Sequence, residues 1–207
     1  MIRKLKSWIL PKEIDFFKSL REQSLQTLFI VEALSDFYSD DSNQDATHIL
    51  DLITDLKHNH AKGLKDLYGT FITPVDRESI SRGYSHLYWV ALSIKHLITE
   101  LEAYKMYQLS EYQEVFGILR QEMSGLTEGF NLLSKKDYDT ALKTVGDIIH
   151  LDNELIQSYA VHLSELFSKS EMKHILMHRE ILSQIKEISK RIHICANLIE
   201  DMVFKIN

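Results

Sequence analysis

Residues that terminate or bend helices are scarce in this chain. Its 207 residues include only 7 glycines and 2 prolines. A β-sheet protein of this length needs many tight turns, and glycine and proline are the residues that most tight turns require. The scarcity therefore excludes a turn-rich sheet fold and favours long helices.

Cysteine is almost absent, since Cys195 is the only one in the sequence. A single thiol excludes an internal disulfide and a cysteine-based zinc site. Cys195 lies in RIHICANLIEDMV, which has the apolar pattern of a buried helix. We therefore expect a small buried side chain here rather than a catalytic thiol.

Long apolar runs and a strong charge bias are also lacking. No stretch approaches the roughly 18 apolar residues of a membrane-spanning helix. The net charge of −6 comes without a basic patch, which argues against nucleic acid as a partner. The opening MIRKLKSWILPKE lacks the long apolar core and cleavage site of a signal peptide, so we expect a cytoplasmic protein. The alternative interpretation of this segment is a short interfacial anchor with Trp8, Ile9 and Leu10 on its apolar side.

What remains is helical periodicity interrupted by short polar breaks, which predicts an all-α fold of six long helices. Helices of this length are expected in bundles, where each one crosses the whole domain. Gly69 is placed as a helix stop and Ser110 as the cap of the fourth helix. The predicted helices are Pro11–Ser39, Asp45–Tyr68, Asp76–Leu109, Ser110–Ser134, one from the turn Ser134–Asp139 to Ser168, and one from Glu171 to the C-terminus.

A faint internal repeat accompanies these helices. A shift of 99 residues pairs ILDLITDLKHNHAKGLKDLY with IHLDNELIQSYAVHLSELF, and so places the second helix over the fifth. This offset predicts a duplicated three-helix unit. We expect a single domain, 1–207, with approximate repeats 12–105 and 110–207.

One segment resembles a known family. TFITPVDRESI, Thr70 to Ile80, resembles the TFITPFDREDI signature of PhoU-like proteins that are accessory to the Pit-type phosphate transporter, and differs at Val75 and Ser79. LPKEIDFF and the closing helix agree more loosely. The resemblance implies two three-helix bundles side by side. It also implies a non-enzymatic regulatory or accessory protein of phosphate transport, with a Pit-type transporter at the membrane as its protein partner.

The resemblance further implies multinuclear metal sites built from Glu/Asp-x-x-x-Asp pairs, because carboxylates four residues apart share a helix face. Only Asp152 keeps a carboxylate at the corresponding positions, and a shift of one residue adds Asp55 or Glu154 but no full set. We therefore expect no metal cofactor in this chain. The positions are Ile53 and Lys57, Tyr88 and Leu92, Asp152 and Ile156, and Lys186 and Lys190.

Histidines and carboxylates that share helix faces leave an alternative function open, that of a metal-binding helical protein. No phosphate-cradling glycine loop, HExxH motif or nucleophile motif is present, so no enzyme activity is predicted. Long helices and exposed aromatic residues are compatible with a homo-oligomer. The three sets of residues at helical spacing are His48, Asp51, Asp55 and His58; Asp147, His150 and Glu154; and Glu171, His174 and His178.

The signature segment has two interpretations. In the structural one, Thr73 to Asp76 forms a rigid turn, Asp76 or Thr73 caps the third helix, and Arg77 pairs with a neighbouring acid. In the functional one, an exposed Arg77 near the helix N-terminus contacts an anion or a partner. The motif residues carried forward as an interaction site are Thr73, Asp76, Arg77 and Glu78.

Overall fold

The computed structural model of the chain describes residues 14–39, 45–169 and 171–206. Within these ranges all regular secondary structure is helical, as predicted. The first predicted helix boundary, Pro11, and the proposed anchor residues Trp8 to Leu10 lie outside the described residues. The helices are α1 (Phe16–Ser39), α2 (Thr47–Gly69), α3 (Arg77–Tyr104), α4 (Gln113–Lys135), α5 (Tyr138–Lys169) and α6 (Met172–Ile206), with a 3₁₀ turn at Ser110–Tyr112 before α4.

The helices form two three-helix bundles that lie side by side. Helices α1, α2 and α3 pack on one another, and so do α4, α5 and α6. The bundles meet where α1 packs on α4 and α3 packs on α6. Arg120 of α4 lies near Glu32 of α1, and Thr127 of α4 donates to the Ser24 carbonyl, so α1 and α4 run antiparallel. The predicted pair of bundles is confirmed, whereas the division into sequence repeats stays a prediction.

Apolar residues at helical spacing supply the core. On α2 the apolar residues Ile49, Ile53, Leu56 and Leu67, which share one helix face, are buried. Each such side chain contributes roughly 1.5–3 kcal/mol when it is fully removed from water. Cys195 of α6 is also fully buried, as expected, and burial raises the pKa of its thiol.

Two glycines allow helices to approach closely. A Cβ on Gly63 of α2 would lie 2.7 Å from Tyr84 Cε1 of α3, and a Cβ on Gly129 of α4 would lie 2.7 Å from Ile199 Cδ1 of α6. Such distances are shorter than van der Waals contact. The absence of a side chain at these positions therefore fixes how near the paired helices lie.

Two helix ends differ from the prediction by three residues or more. Helix α3 ends at Tyr104 instead of Leu109, because Lys105 adopts a left-handed conformation with φ of 57° and Met106 N–H closes the helix on the Leu101 carbonyl. This is the hydrogen bond of a Schellman motif, which is usually made with glycine. Ser110 does not cap α4 with its side chain; it begins the 3₁₀ turn, and α4 starts at Gln113.

Candidate interaction site at the signature turn

We call Thr70–Ser79, between α2 and α3, the signature turn. Asp76 is the N-cap of α3: its Oδ1 accepts from the Ser79 N–H at 2.9 Å, and its Oδ2 accepts from Ser79 Oγ at 2.8 Å. Of the two predicted caps, the structure thus uses Asp76 and leaves Thr73 half-buried ahead of Pro74. Val75 is buried and anchors the turn to the core.

The end of α6 completes the turn. Lys205 Nζ lies 3.1 Å from Asp76 Oδ2 and 2.9 Å from Asp201 Oδ2, and it donates to Ser79 Oγ at 2.8 Å. Ser79 Oγ is also 3.1 Å from Asp201 Oδ2. We call Asp76, Ser79, Asp201 and Lys205 the signature cluster. A cation at the C-terminus of α6 and an anion at the N-terminus of α3 both suit the helix dipoles, so the cluster ties the two helix ends together.

The charges of the cluster stabilise one another. Partial desolvation acts to raise the pKa of Asp76, but the hydrogen bonds from Ser79 and the ion pair with Lys205 prevail and lower it to about 2. The Lys205 hydrogen bond likewise lowers the pKa of Asp201, and Asp201 in turn raises that of Lys205. At neutral pH the cluster therefore holds two carboxylates and one ammonium group.

Within the described part of the chain no acid pairs with Arg77, contrary to the structural interpretation of the sequence. Its guanidinium donates to the carbonyls of Thr70 and Phe71 at the C-terminal end of α2. These carbonyls have no helical partner, and a cation near them suits the α2 dipole. Arg77 thus holds the two ends of the turn together, while Glu78 is exposed in the first turn of α3.

The signature turn and the adjoining end of α2 present apolar side chains to solvent. Phe71 is 94% exposed, Ile72 81% and Tyr68 72%, the three highest values among the large apolar residues that the structure describes. Their backbone is held from both sides by Arg77 and by the Asp76 cap. Apolar side chains that project from a fixed backbone are suited to contact with a protein partner. The sequence indicated the motif as an interaction site through Arg77, but not through Phe71 and Ile72.

The metal candidates are not brought together. Asp55 is exposed on α2, Glu154 is exposed on α5 beside His150 at 3.2 Å, and Asp152 is buried in the second bundle. Within residues 14–39, 45–169 and 171–206, no three His, Cys, Asp or Glu side chains are arranged to hold a metal ion.

The remaining residues of the three predicted sets with histidine are exposed to solvent or contact groups outside their set. His48, Asp51 and Asp147 are exposed, and His58 contacts the Thr54 carbonyl of its own helix at 2.9 Å. His174 and His178 do lie together, with ring centroids 3.9 Å apart and ring planes tilted by 31°, but Glu171 is exposed outside them. His178 Nδ1 instead lies 2.6 Å from the Tyr112 hydroxyl and 3.1 Å from Glu111.

The positions that correspond to the family's metal motifs do not fit a metal cluster. Ile53 belongs to the core, and Tyr88 stacks on His60 with ring centroids 4.9 Å apart. Lys186 Nζ lies 4.4 Å from the centre of the Tyr159 ring, and Lys190 pairs with Glu187 at 3.6 Å. Charged lysine and apolar side chains cannot serve as ligands, so these helix faces pack instead.

A second polar group, which sequence reasoning missed, lies inside the second bundle. Glu122 of α4, Asp152 of α5, and Ser189 and His193 of α6 form one hydrogen-bonded set, which we call the buried acid cluster. Glu122 and Ser189 are fully buried. One signal was present in the sequence: Glu122 occupies the apolar stripe formed by Val115, Leu119 and Leu126. A carboxylate at such a position requires partners from other helices.

Two solved structures share this fold. A PhoU-like phosphate regulatory protein of Shewanella oneidensis MR-1 matches with a TM-score of 0.71 over 92% of this chain and 99% of its own, at 11% sequence identity. A second PhoU-like protein of the same organism matches with the same TM-score and coverage at 12% identity. At such identities the similarity shows the fold. No family model matches the chain, and no curated protein matches it.

None of the helices within the described ranges combines the length and the apolar character that crossing a bilayer requires.

Proposed function

We propose that this chain is a non-enzymatic regulatory or accessory protein of inorganic phosphate transport, which acts through protein contacts. The signature turn is the observation that carries the proposal. It has the sequence that resembles the PhoU-like signature, and its rigid backbone exposes Phe71 and Ile72. The shared fold with a phosphate regulatory protein supports the same role.

The partner we propose is a Pit-type phosphate transporter, with the chain in the cytoplasm and at the membrane through that partner. An aromatic and an aliphatic side chain that enter a pocket are typical hot spots of a protein interface. Because Arg77 and Asp76 already hold the turn, little conformational entropy is lost when it binds.

Co-purification from native membranes tests this proposal. We expect the wild-type chain to recover the transporter. The double variant Phe71→Ser/Ile72→Ser should recover at least about tenfold less of it, which is the loss expected when one interface hot spot is removed. Phe167→Ser is the matched control, because Phe167 is a similarly exposed apolar side chain near the end of α5. It should recover as much as the wild type.

Thermal unfolding of all three chains separates a binding defect from a folding defect, and we expect equal midpoints because the replaced side chains are exposed. Undiminished recovery by the double variant, or equal loss in the Phe167→Ser control, would contradict a docking role of the signature turn.

A further inference from the structure

In the buried acid cluster, a serine hydroxyl lies between two carboxyl groups. Ser189 Oγ is 2.6 Å from Glu122 Oε1 and 2.8 Å from Asp152 Oδ1, and both distances are those of hydrogen bonds. A hydroxyl carries one hydrogen, so it can donate to only one of the two carboxyl groups. The other contact needs a hydrogen that the carboxyl group itself supplies.

The surroundings assign this second hydrogen to Glu122. His193 Nδ1 lies 2.7 Å from Asp152 Oδ2, so the tautomer that is protonated at Nδ1 donates to an ionised Asp152, and both oxygens of Asp152 then act as acceptors. Glu122 is fully buried, and its Oε2 has no hydrogen-bond partner among the residues that the structure describes. An ionised carboxylate in such a place is far more costly than the neutral acid.

We propose that Glu122 carries a proton at neutral pH and that this proton joins α4 to α6 in a chain of hydrogen bonds across the second bundle. Glu122 donates to Ser189, Ser189 donates to Asp152 of α5, and His193 donates to Asp152 from the other side. When the proton leaves, two carboxylates face one hydroxyl, so Ser189 keeps a hydrogen bond to only one of them.

Electrostatics agrees with this assignment. Burial raises the pKa of the Glu122 carboxyl to about 8, and the charge of Asp152 acts in the same direction. Helix α1, which packs on α4 from the other bundle, contributes Glu32 and Asp36, but these pair with the exposed Arg120. On α6, Lys186 lies on the Tyr159 ring and Lys190 pairs with Glu187, so neither neutralises Glu122.

The first bundle provides an internal comparison. The offset of 99 residues pairs Glu122 of α4 with Gln23 of α1, which is also buried. An amide is neutral at every pH and has nearly the shape of a protonated carboxyl group. The neutral side chain of Gln23 therefore occupies in one bundle the position that we assign to a neutral Glu122 in the other.

Infrared spectroscopy of the folded chain at pH 7 detects the proton directly. We expect the carbonyl band of a protonated carboxyl group in the wild type, its loss in Glu122→Gln, and its disappearance in the wild type as the pH is raised to 9. Glu128→Gln is the matched control, because Glu128 is an exposed carboxylate of the same helix. Asp152→Asn should retain the band. A wild type without the band at pH 7, or a band that is lost in Asp152→Asn and kept in Glu122→Gln, overturns the proposal.

Urea unfolding measured from pH 5 to pH 9 gives the energetic counterpart. The folded-state pKa lies above the unfolded value of 4.5, so the proton stabilises the fold fully below that value and less as the pH rises through about 8. The unfolding constant of the wild type, relative to that of Glu122→Gln, should rise about tenfold per pH unit between pH 5 and pH 8 and level off above that. Parallel pH profiles for the two chains overturn the proposal. Should Glu122→Gln not fold, the infrared titration of the wild type decides alone.

Discussion

At the scale of single residues, Asp76 shows how much one carboxylate can do at a helix start. It caps α3 through the Ser79 N–H and binds Lys205 of α6 with its other oxygen. The sequence allowed the prediction of a cap at Asp76 or Thr73, because both precede the helical pattern. It could not indicate Asp201 or Lys205, because these lie more than a hundred residues away and reach Asp76 only through the packing of α3 on α6.

Replacing Asp76 separates its two roles. We expect Asp76→Ala to lower the free energy of unfolding by about 1 kcal/mol, the usual cost of a lost N-cap. Asp76→Asn keeps a cap oxygen and loses the charge, so it should cost less. Urea unfolding at pH 7 measures both.

The pH dependence of the stability difference between the wild type and Asp76→Asn tests the contribution of the Asp76 charge. The pKa of Asp76 is about 2 in the folded chain against an ordinary 3.8, so its ionised form stabilises the fold above pH 4, and this part is lost as the pH falls towards 2. The difference between wild type and Asp76→Asn should therefore shrink over that interval. A difference that stays constant down to pH 2 would mean that the Ser79 hydrogen bonds and the Lys205 ion pair together do not favour the ionised form of Asp76.

At the scale of helices, the sequence predicted well which helices are present and in what order. It predicted less well the residues at which they begin and end. The six helices and the apolar stripe of α2 follow from periodicity, which depends only on local spacing. The end of α3 at Tyr104 was missed because Lys105 takes a left-handed conformation without the usual glycine signal. The close contacts at Gly63 and Gly129 were missed for a related reason. A glycine within a helical pattern does not indicate which side chain of a neighbouring helix packs against it.

Two glycine substitutions should change stability in opposite directions. Gly63→Ala places a methyl group against the Tyr84 ring, which is held by a 2.7 Å hydrogen bond to Ser19, so we expect a loss of about 1–3 kcal/mol. Gly146→Ala on α5 meets nothing within 4 Å, and helix propensity should give a gain of up to about 1 kcal/mol. Urea unfolding of both variants checks this, and a stabilised Gly63→Ala would show that Tyr84 can move aside.

At the scale of the whole molecule, the two bundles share an architecture but differ in their polar interiors. The second bundle contains the buried acid cluster, whereas the positions 99 residues earlier are Gln23, Ile53, Val90 and Ile94. No local rule could predict this difference, because the cluster is assembled from three helices. The resemblance to PhoU-like proteins predicted the overall fold, and its motif positions gave only one carboxylate, Asp152.

Metal content of the native protein tests the expected lack of a metal cofactor. We expect fewer than two iron, zinc or nickel ions per chain, because Lys186, Lys190 and Ile53 stand at positions where the family's motif needs carboxylates. Elemental analysis of protein purified without a histidine tag or chelator measures this. Two or more tightly bound ions per chain would contradict the expectation.

Helix α6 carries contacts to both bundles at fixed positions along its axis. Ser189 bonds to α4 and α5, and Asp201, twelve residues further on, lies 3.1 Å from the Ser79 hydroxyl of α3. Twelve residues of α-helix span about 18 Å, and one residue accounts for a rotation of about 100°. A single insertion or deletion between these points would therefore turn Asp201 and Lys205 away from the signature turn. Side chains in this segment can vary within the limits of the core, but its length cannot.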